Sequence, residues 1–469
     1  MSRIKPPDSL GTGGFWPAGG EIVGEKCAMA QVLMNGWIEY SLSKERFRLI
    51  ATDFAAAMDD GLNGRPSSLQ MLPAFVGRPA GNETGKYLAL DFGGTNLRVA
   101  EVELCGTKKP RINKIHKVSL KPTGGGVDYT SANVDVDALF EFIAQQIAIV
   151  DDGTDALLLG HSFSYASQQT SLGRAKLVGW TKEIKVTGVA GQDINGLLSA
   201  ALARQSIGNI QPVAVINDTT ATLLAAAYSQ PEADLGSVCG TGHNTCYYED
   251  ISHQEVSARV MAYNSESGGF DRLPFSAIDD QLDADSEYPG KQRLEKMVAG
   301  RYLGELTRRI LLSGRSDCGM NFIDACPPFH RVDGISGIDV AAFVGDETTD
   351  LAGISFWLEK QLPGYSGSLA ERHFIKAVAE MVVNRSAALI AASYAGFLLR
   401  MDPQQRRKHV VGINGSLYEK MPGFAIGIQR SLENLGGWNS EQVLFHLVDE
   451  APLVGAAIAA AMAKDGKGW

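Results

Sequence analysis

The chain has 469 residues, 45% hydrophobic and 20% charged, a balance that suits a folded protein with sizeable cores and excludes a disordered one. Its 43 Lys and Arg against 53 Asp and Glu give a formal net charge of −10, which argues against a general binder of nucleic acid or anionic membrane. Phosphate ligands are compatible with that charge, because backbone N–H groups hold them without basic side chains.

In chain order, residues 1–24 are rich in Gly and Pro with no continuous apolar stretch, and read as a flexible arm rather than a signal peptide. Strand-like runs at 87–91, 97–104, 156–160, 213–216, 235–239, 256–262, 410–413 and 443–448 alternate with helical patterns, the mark of an α/β protein. Leu294, Met297, Val298, Leu303, Leu306, Ile310 and Leu311 recur at helical spacing and predict one long helix. A second long helix is expected over 375–399, with Ala388, Ala391 and Ala392 allowing close packing. Residues 314–368, with many Gly and Pro, read as loops and short elements. The apolar stretch 453–463 is too short to span a bilayer. Six cysteines, Cys27, Cys105, Cys239, Cys246, Cys318 and Cys326, are too scattered for a disulfide framework and suggest a reducing, cytosolic setting. Cys318, Cys326 and His330 lack the spacing of a zinc clip.

Two turns echo one another. Asp91-Phe92-Gly93-Gly94-Thr95-Asn96-Leu97-Arg98 and Gly240-Thr241-Gly242-His243-Asn244 each lie between two strands and combine glycine with Thr and Asn. Glycine lets backbone approach a bulky anion with no Cβ in the way. Alone, either is an ordinary hairpin turn; together they suggest two related halves facing one ligand. A Walker A loop and a Rossmann GxGxxG are both absent.

Val213-Ala214-Val215-Ile216-Asn217-Asp218-Thr219-Thr220 reads as a buried strand running into a helix start. Asn, Asp and Thr there serve as caps. A carboxylate at that point also feels the positive end of the helix dipole and can accept a hydrogen bond from a substrate hydroxyl. Gly160-His161-Ser162-Phe163-Ser164 and Gly179-Trp180-Thr181-Lys182 read as polar loop, with His161 at the surface. Glu266 and Glu295 read as solvated carboxylates, Glu295 within reach of Lys291 on the same helix.

These segments, in this order, resemble the hexokinase family of ATP-dependent sugar kinases. The resemblance runs from Met71-Leu72-Pro73-Ala74-Phe75-Val76 through the first glycine turn, Phe163-Ser164, Gln168-Gln169-Thr170-Ser171, Trp180-Thr181-Lys182 and Asn217-Asp218-Thr219. It continues through Gly240-Thr241-Gly242, Asn264-Ser265-Glu266, the segment around Glu295, and Gly412-Ile413-Asn414-Gly415-Ser416-Leu417-Tyr418. It implies an actin-like ATPase (ribonuclease H-like) α/β fold, two domains around a hinged sugar/ATP cleft. The N-terminal residues 1–76 would pack with the large domain, 77–217 would form the small domain and 218–449 the large one. Residues 450–469 would return as a helix to the small domain.

The implied activity is transfer of the γ-phosphate of ATP to the 6-hydroxyl of a hexose, glucose first, with Mg²⁺. Asp218 is the implied general base and Lys182 a second catalytic group. Ser164, Thr181, Lys182, Asn217, Asp218, Asn244, Glu266 and Glu295 would line the sugar. Asp91, Gly93, Gly94, Thr95, Asn96 and Arg98 would face the phosphates with Gly240, Thr241 and Gly242. Gly415 and Ser416 would lie near adenosine, and Mg²⁺ would meet Asp91 and Asp218 through water.

The chain departs from the family pattern at Ala166 (usually Pro), Ser267 (often Trp) and Asn414 (commonly Asp). It departs most at Glu450-Ala451-Pro452-Leu453, where a glycine-rich run is expected and proline removes a donor. A sugar-binding sensor that has lost catalysis, and an actin-like or chaperone-like ATPase, are the alternatives at this point.

Overall fold

A computed structural model describes residues 40–466 apart from 107, 123, 152, 154, 181–183, 253–259 and 316–319. The expected N-terminal arm, and Cys27, Cys318, Thr181 and Lys182, lie outside the described residues. The strands are β1 (Leu72–Pro73), β2 (Thr84–Phe92), β3 (Asn96–Cys105), β4 (Lys108–Ser119), β5 (Leu157–Phe163), β6 (Ser167–Ser171) and β7 (Arg174–Leu177). They continue as β8 (Ile210–Ile216), β9 (Ala233–Cys239), β10 (His243–Asp250), β11 (Val260–Asn264), β12 (His409–Asn414) and β13 (Val443–Leu447).

One sheet runs β4-β3-β2-β5-β8 and a second β1-β11-β10-β9-β12-β13; β6 and β7 form a small hairpin. In the first sheet β2, β3 and β4 pair antiparallel, while β5 and β8 add in parallel on the other side of β2. The second repeats this with β9, β10, β11, then β12 and β13. The two echoed turns therefore sit at equivalent places, between the first and second strands of each repeat.

Strand alternation sorts the packing. On β2, Leu88, Leu90 and Phe92 join a core with the helices Val136–Val150 and Ile194–Arg204. Tyr87 and Ala89 face the other way, into a core with the helices Asp218–Ser229 and Ala451–Lys464. That second core also takes in Cys246, Tyr248 and Ala262 of the other sheet, so the two alanine-rich helices lie between the sheets. The two helices approach so closely that a Cβ on Gly455 would sit 2.1 Å from the Ala221 carbonyl oxygen, and the second helix lies so close to β5 that one on Gly160 would sit 1.8 Å from that of Ala456. A third core gathers around Leu369–Met401, which packs on the helix Lys44–Leu62. Its membrane-like apolar window is 89% buried within the protein.

Several expectations need correction. The periodic stretch from Leu294 to Leu311 is two helices, Arg293–Val298 and Gly300–Gly314, parted at Ala299, whose backbone is extended. Both bury residues of one core, so the apolar period runs through the break. Residues 314–368 are, as expected, loops and short elements, among them the helices Gly337–Val344 and Ala352–Gln361, the first opened by a Ser336/Asp339 capping box. The long helix begins at Leu369, six residues before the apolar period suggests, because Ser368 and Glu371 cap it reciprocally. Strand β4 gives no apolar run, since it is a Lys- and Arg-rich edge strand.

His161 is also misjudged: it is fully buried on β5, its ring edge-on to Phe163 at 5.3 Å. Neither ring nitrogen has a partner, and burial pushes its pKa down to about 3. The unfolded chain takes up a proton below pH 6.5 while the folded protein does not, so this stability contribution is present above pH 6.5 and is lost between there and about 3. His161→Phe is expected to raise stability by about 1–3 kcal/mol at neutral pH. It should also flatten the loss on acidification, as checked by urea unfolding at pH 7.5 and 5.

Candidate active site

The first turn is set by register. Asp91 of β2 lies directly opposite Arg98 of β3, so the two side chains meet on one face of the hairpin. Arg98 holds Asp91 Oδ2 at 2.8 Å through Nε and 2.7 Å through Nη2, while Nη1 holds Glu450 Oε2 at 2.6 Å. Arg98 thus ties the turn to the start of the C-terminal helix, a use of both charges that the residue pattern alone did not reveal. Between them Gly93 and Gly94 are half-buried, and Thr95 is exposed with its hydroxyl accepting from the Asn96 amide at 2.8 Å.

The second turn, Gly240-Thr241-Gly242, leans on the break at Ala299. Gly300 N–H donates to the Gly240 carbonyl at 2.9 Å and Arg301 N–H to that of Thr241 at 3.2 Å. A Cβ on Gly300 would lie 2.8 Å from the Gly240 oxygen. Gly415, at φ 131°, closes the turn's other side; a Cβ there would be 2.3 Å from the Cys239 carbonyl oxygen. Ser416 then opens the short helix Ser416–Lys420.

Asn217 is the N-cap of the helix Asp218–Ser229, its Oδ1 accepting from Thr219 N–H at 3.0 Å and Thr219 Oγ1 at 2.7 Å. Asp218 is therefore the first helical residue, half-buried, at the end of β8. Ser164 leaves β5 on the same side, its N–H donating to the Phe92 carbonyl at 3.3 Å.

Glu266 is far from a freely solvated carboxylate. β10 pairs with β11 so that Cys246 faces Asn264, and continuing that register by two residues sets Asn244 opposite Glu266. Asn264 Nδ2 donates to Glu266 Oε1 at 2.7 Å and Asn244 Nδ2 at 3.3 Å; Asn244 also donates to Asn264 Oδ1 at 2.9 Å. Glu266 sits in the left-handed region at φ 54°, a conformation costly for a side chain with a Cβ and held here by that amide pair. Burial, with Asp218 and Glu295 adding negative charge, pushes its carboxyl up to about 7. Glu295 accepts from His243 N–H at 2.9 Å, which fixes it to the second turn.

Several described members of the predicted set are neighbours: the charges of Asp218 and Glu295 both reach Glu266, and those of Asp218 and Asp91 both reach Tyr165. Asn264 was missed. Its only sequence signal is an amide two residues before a strand-end glutamate. Asn414, expected as a departure from a common Asp, donates its amide to the Val448 carbonyl at 3.0 Å, a bond a carboxylate could not make. Pro452 stands in the first turn of the helix Ala451–Lys464, where a missing N–H costs nothing, so the lost donor does not weaken this element.

Among the described residues no three His, Cys, Asp or Glu side chains gather as a metal-binding group, and Asp91 already holds Arg98. Such a donor set does not build a protein cage for Mg²⁺; it fits a cation that arrives on phosphates and meets carboxylates through water.

Paired sheets of one strand order, a glycine turn at the same place in each, and a carboxylate at a helix start between them define a phosphotransferase of the actin-like ATPase class. A family model described as Hexokinase matches residues 37–228, and a second of the same description matches residues 234–462. Hexokinase-1 of Schizosaccharomyces pombe is 32% identical over 453 residues, which cover 92% of this chain and 90% of that protein. A hexokinase crystal structure superposes with a TM-score of 0.82 at 29% identity, covering 93% of this chain and 100% of the other. The hexokinase of Schistosoma mansoni complexed with glucose gives 0.78 at 29% identity, with 94% and 100% covered. The chain belongs to the hexokinase family. It is a sugar kinase that uses ATP, with a two-domain α/β architecture.

Proposed function

We propose that glucose is the hexose and that Asp218 is the general base for its 6-hydroxyl. The supporting observation is the position of Asp218 at a helix start, close enough to act electrostatically on Glu266 and on Tyr165, the residue bonded to the Asp91 turn. A sugar presents a ring of hydroxyls that are both donors and acceptors, and Ser164, Asn217, Asn244, Glu266 and Glu295 offer complementary groups, joined by Thr181 and Lys182. Phosphoryl transfer passes through a loose transition state, so the protein's work is alignment and charge neutralisation. Asp218 orients the hydroxyl and takes its proton late. The turns at Gly93-Gly94-Thr95-Asn96 and Gly240-Thr241-Gly242 receive the phosphates, with Gly415 and Ser416 beside adenosine. Mg²⁺ carried on the nucleotide would be held by Asp91 and Asp218 through water, and would supply neutralising charge on the phosphate oxygens.

We further take residues 77–217 with 450–469 as one domain and 1–76 with 218–449 as the other, since the helix Ala451–Lys464 packs on β2, β3, β5 and β8. A cytosolic place at the entry of sugar breakdown suits a chain of this composition. A coupled kinase assay over a panel of sugars and phosphoryl donors tests the reading: glucose-dependent ADP formation is expected, and ATP hydrolysis indifferent to sugar would overturn it.

The state of Glu266 yields a pH prediction. As a carboxylate it accepts hydrogen bonds from sugar hydroxyls; protonated, it loses acceptor capacity. With its carboxyl near 7 in the sugar-free protein, the KM for glucose is expected to rise several-fold from pH 8 to pH 6. Glu266→Gln should bind sugar more weakly throughout and lose this slope. Initial rates across that range check both.

A further inference from the structure

Tyr165 follows Ser164 on the loop after β5, and its ring is buried against Phe92, Phe163 and Trp180 at centroid distances of 5.9, 5.2 and 4.9 Å. Its hydroxyl donates to the Gly93 carbonyl at 3.1 Å, across 72 positions of chain. It also borders a cleft together with Asn217 and Asn264.

The bond matters because of which peptide it holds. The Gly93 carbonyl and the Gly94 N–H belong to one planar trans unit and point in opposite directions. Between two glycines that unit rotates at little steric cost, so the turn does not choose an orientation by itself. Anchoring the carbonyl toward Tyr165 aims the Gly94 N–H the other way. The second turn is built on the same logic: Gly300 and Arg301 N–H groups hold the Gly240 and Thr241 carbonyls, so the Thr241 and Gly242 N–H groups of the same peptide planes point away from Gly300 and Arg301. Burial, together with Asp218 and Asp91, keeps the Tyr165 phenol protonated and hence a donor.

We infer that Tyr165 is a positioning residue for the phosphoryl donor, fixing the Gly93–Gly94 peptide so that its N–H faces the phosphates. The inference rests on the assignment of that turn to phosphate binding. Tyr165 therefore acts on ATP rather than on sugar, although it lies in the loop that supplies Ser164.

The test is Tyr165→Phe, which keeps the ring and removes the hydroxyl. The KM for ATP is expected to rise about 3- to 10-fold, the size of one lost neutral hydrogen bond, with the KM for glucose and the urea midpoint unchanged. Replacement of Tyr165 by p-aminophenylalanine, which restores a donor, should return the ATP KM toward wild type. An unchanged ATP KM in a folded Phe variant overturns the inference. So does an equal rise in both KM values with a lowered urea midpoint, which is what packing alone would produce. Wild-type protein without glucose-dependent ADP formation would instead overturn the functional assignment beneath it.

Discussion

Asp218→Asn is expected to lower kcat by about 10²- to 10⁴-fold, the range attributed to a positioned general base. The substitution keeps shape and a hydrogen-bond acceptor, and Asn217 still caps the helix, so neither the fold nor the KM for sugar should move far. Calorimetry with glucose separates the two effects: binding within a few-fold of wild type alongside collapsed turnover assigns a proton-accepting role. Turnover near the wild-type rate would remove Asp218 from that role. The magnitude decides between base and mere orienter, because losing one orienting hydrogen bond costs roughly tenfold.

Gly160→Ala is expected to have the largest effect on stability, about 3 kcal/mol or more, because the new Cβ would meet main chain rather than a movable side chain. It would lie 1.8 Å from the carbonyl oxygen of Ala456, inside the helix that covers the first sheet. That helix is also pinned by Gly455 against Ala221, so it cannot slide away without opening a second contact. Gly208→Ala is the control. Nothing lies within 4 Å of a Cβ there, and a gain of about 0.4–1 kcal/mol is expected from reduced freedom of the unfolded chain. Denaturant unfolding of both variants measures the contrast; equal stabilities would show that the helix–strand contact yields readily.

What was legible in the sequence was mostly local. The glycine turn after Asp91 and the Asn217-Asp218 helix start depend on neighbouring residues, and both stand where the pattern puts them. The pairing of Asp91 with Arg98 follows from hairpin register once the turn is placed, yet the residue types alone pointed toward phosphate. The amide clasp on Glu266 joins residues 20 positions apart, and no periodicity announces it. His161 was misplaced because polarity was taken as exposure; it fills an aromatic slot on a central strand, in neutral form. The break at Ala299 escaped notice because it serves a turn some sixty residues upstream, while the apolar stripe on either side keeps its rhythm.

The helix Ala451–Lys464 covers a sheet whose strands are complete by Ile216. On a ribosome, those strands emerge roughly 10–50 s before their cover, at elongation rates of 5–20 residues per second. For that interval Tyr87, Ala89, Ala100 and Val102 present an apolar face without the helix that covers it in the finished fold. Synthesis of this enzyme therefore imposes a waiting period on its first half, written into the chain's connectivity rather than into any one residue.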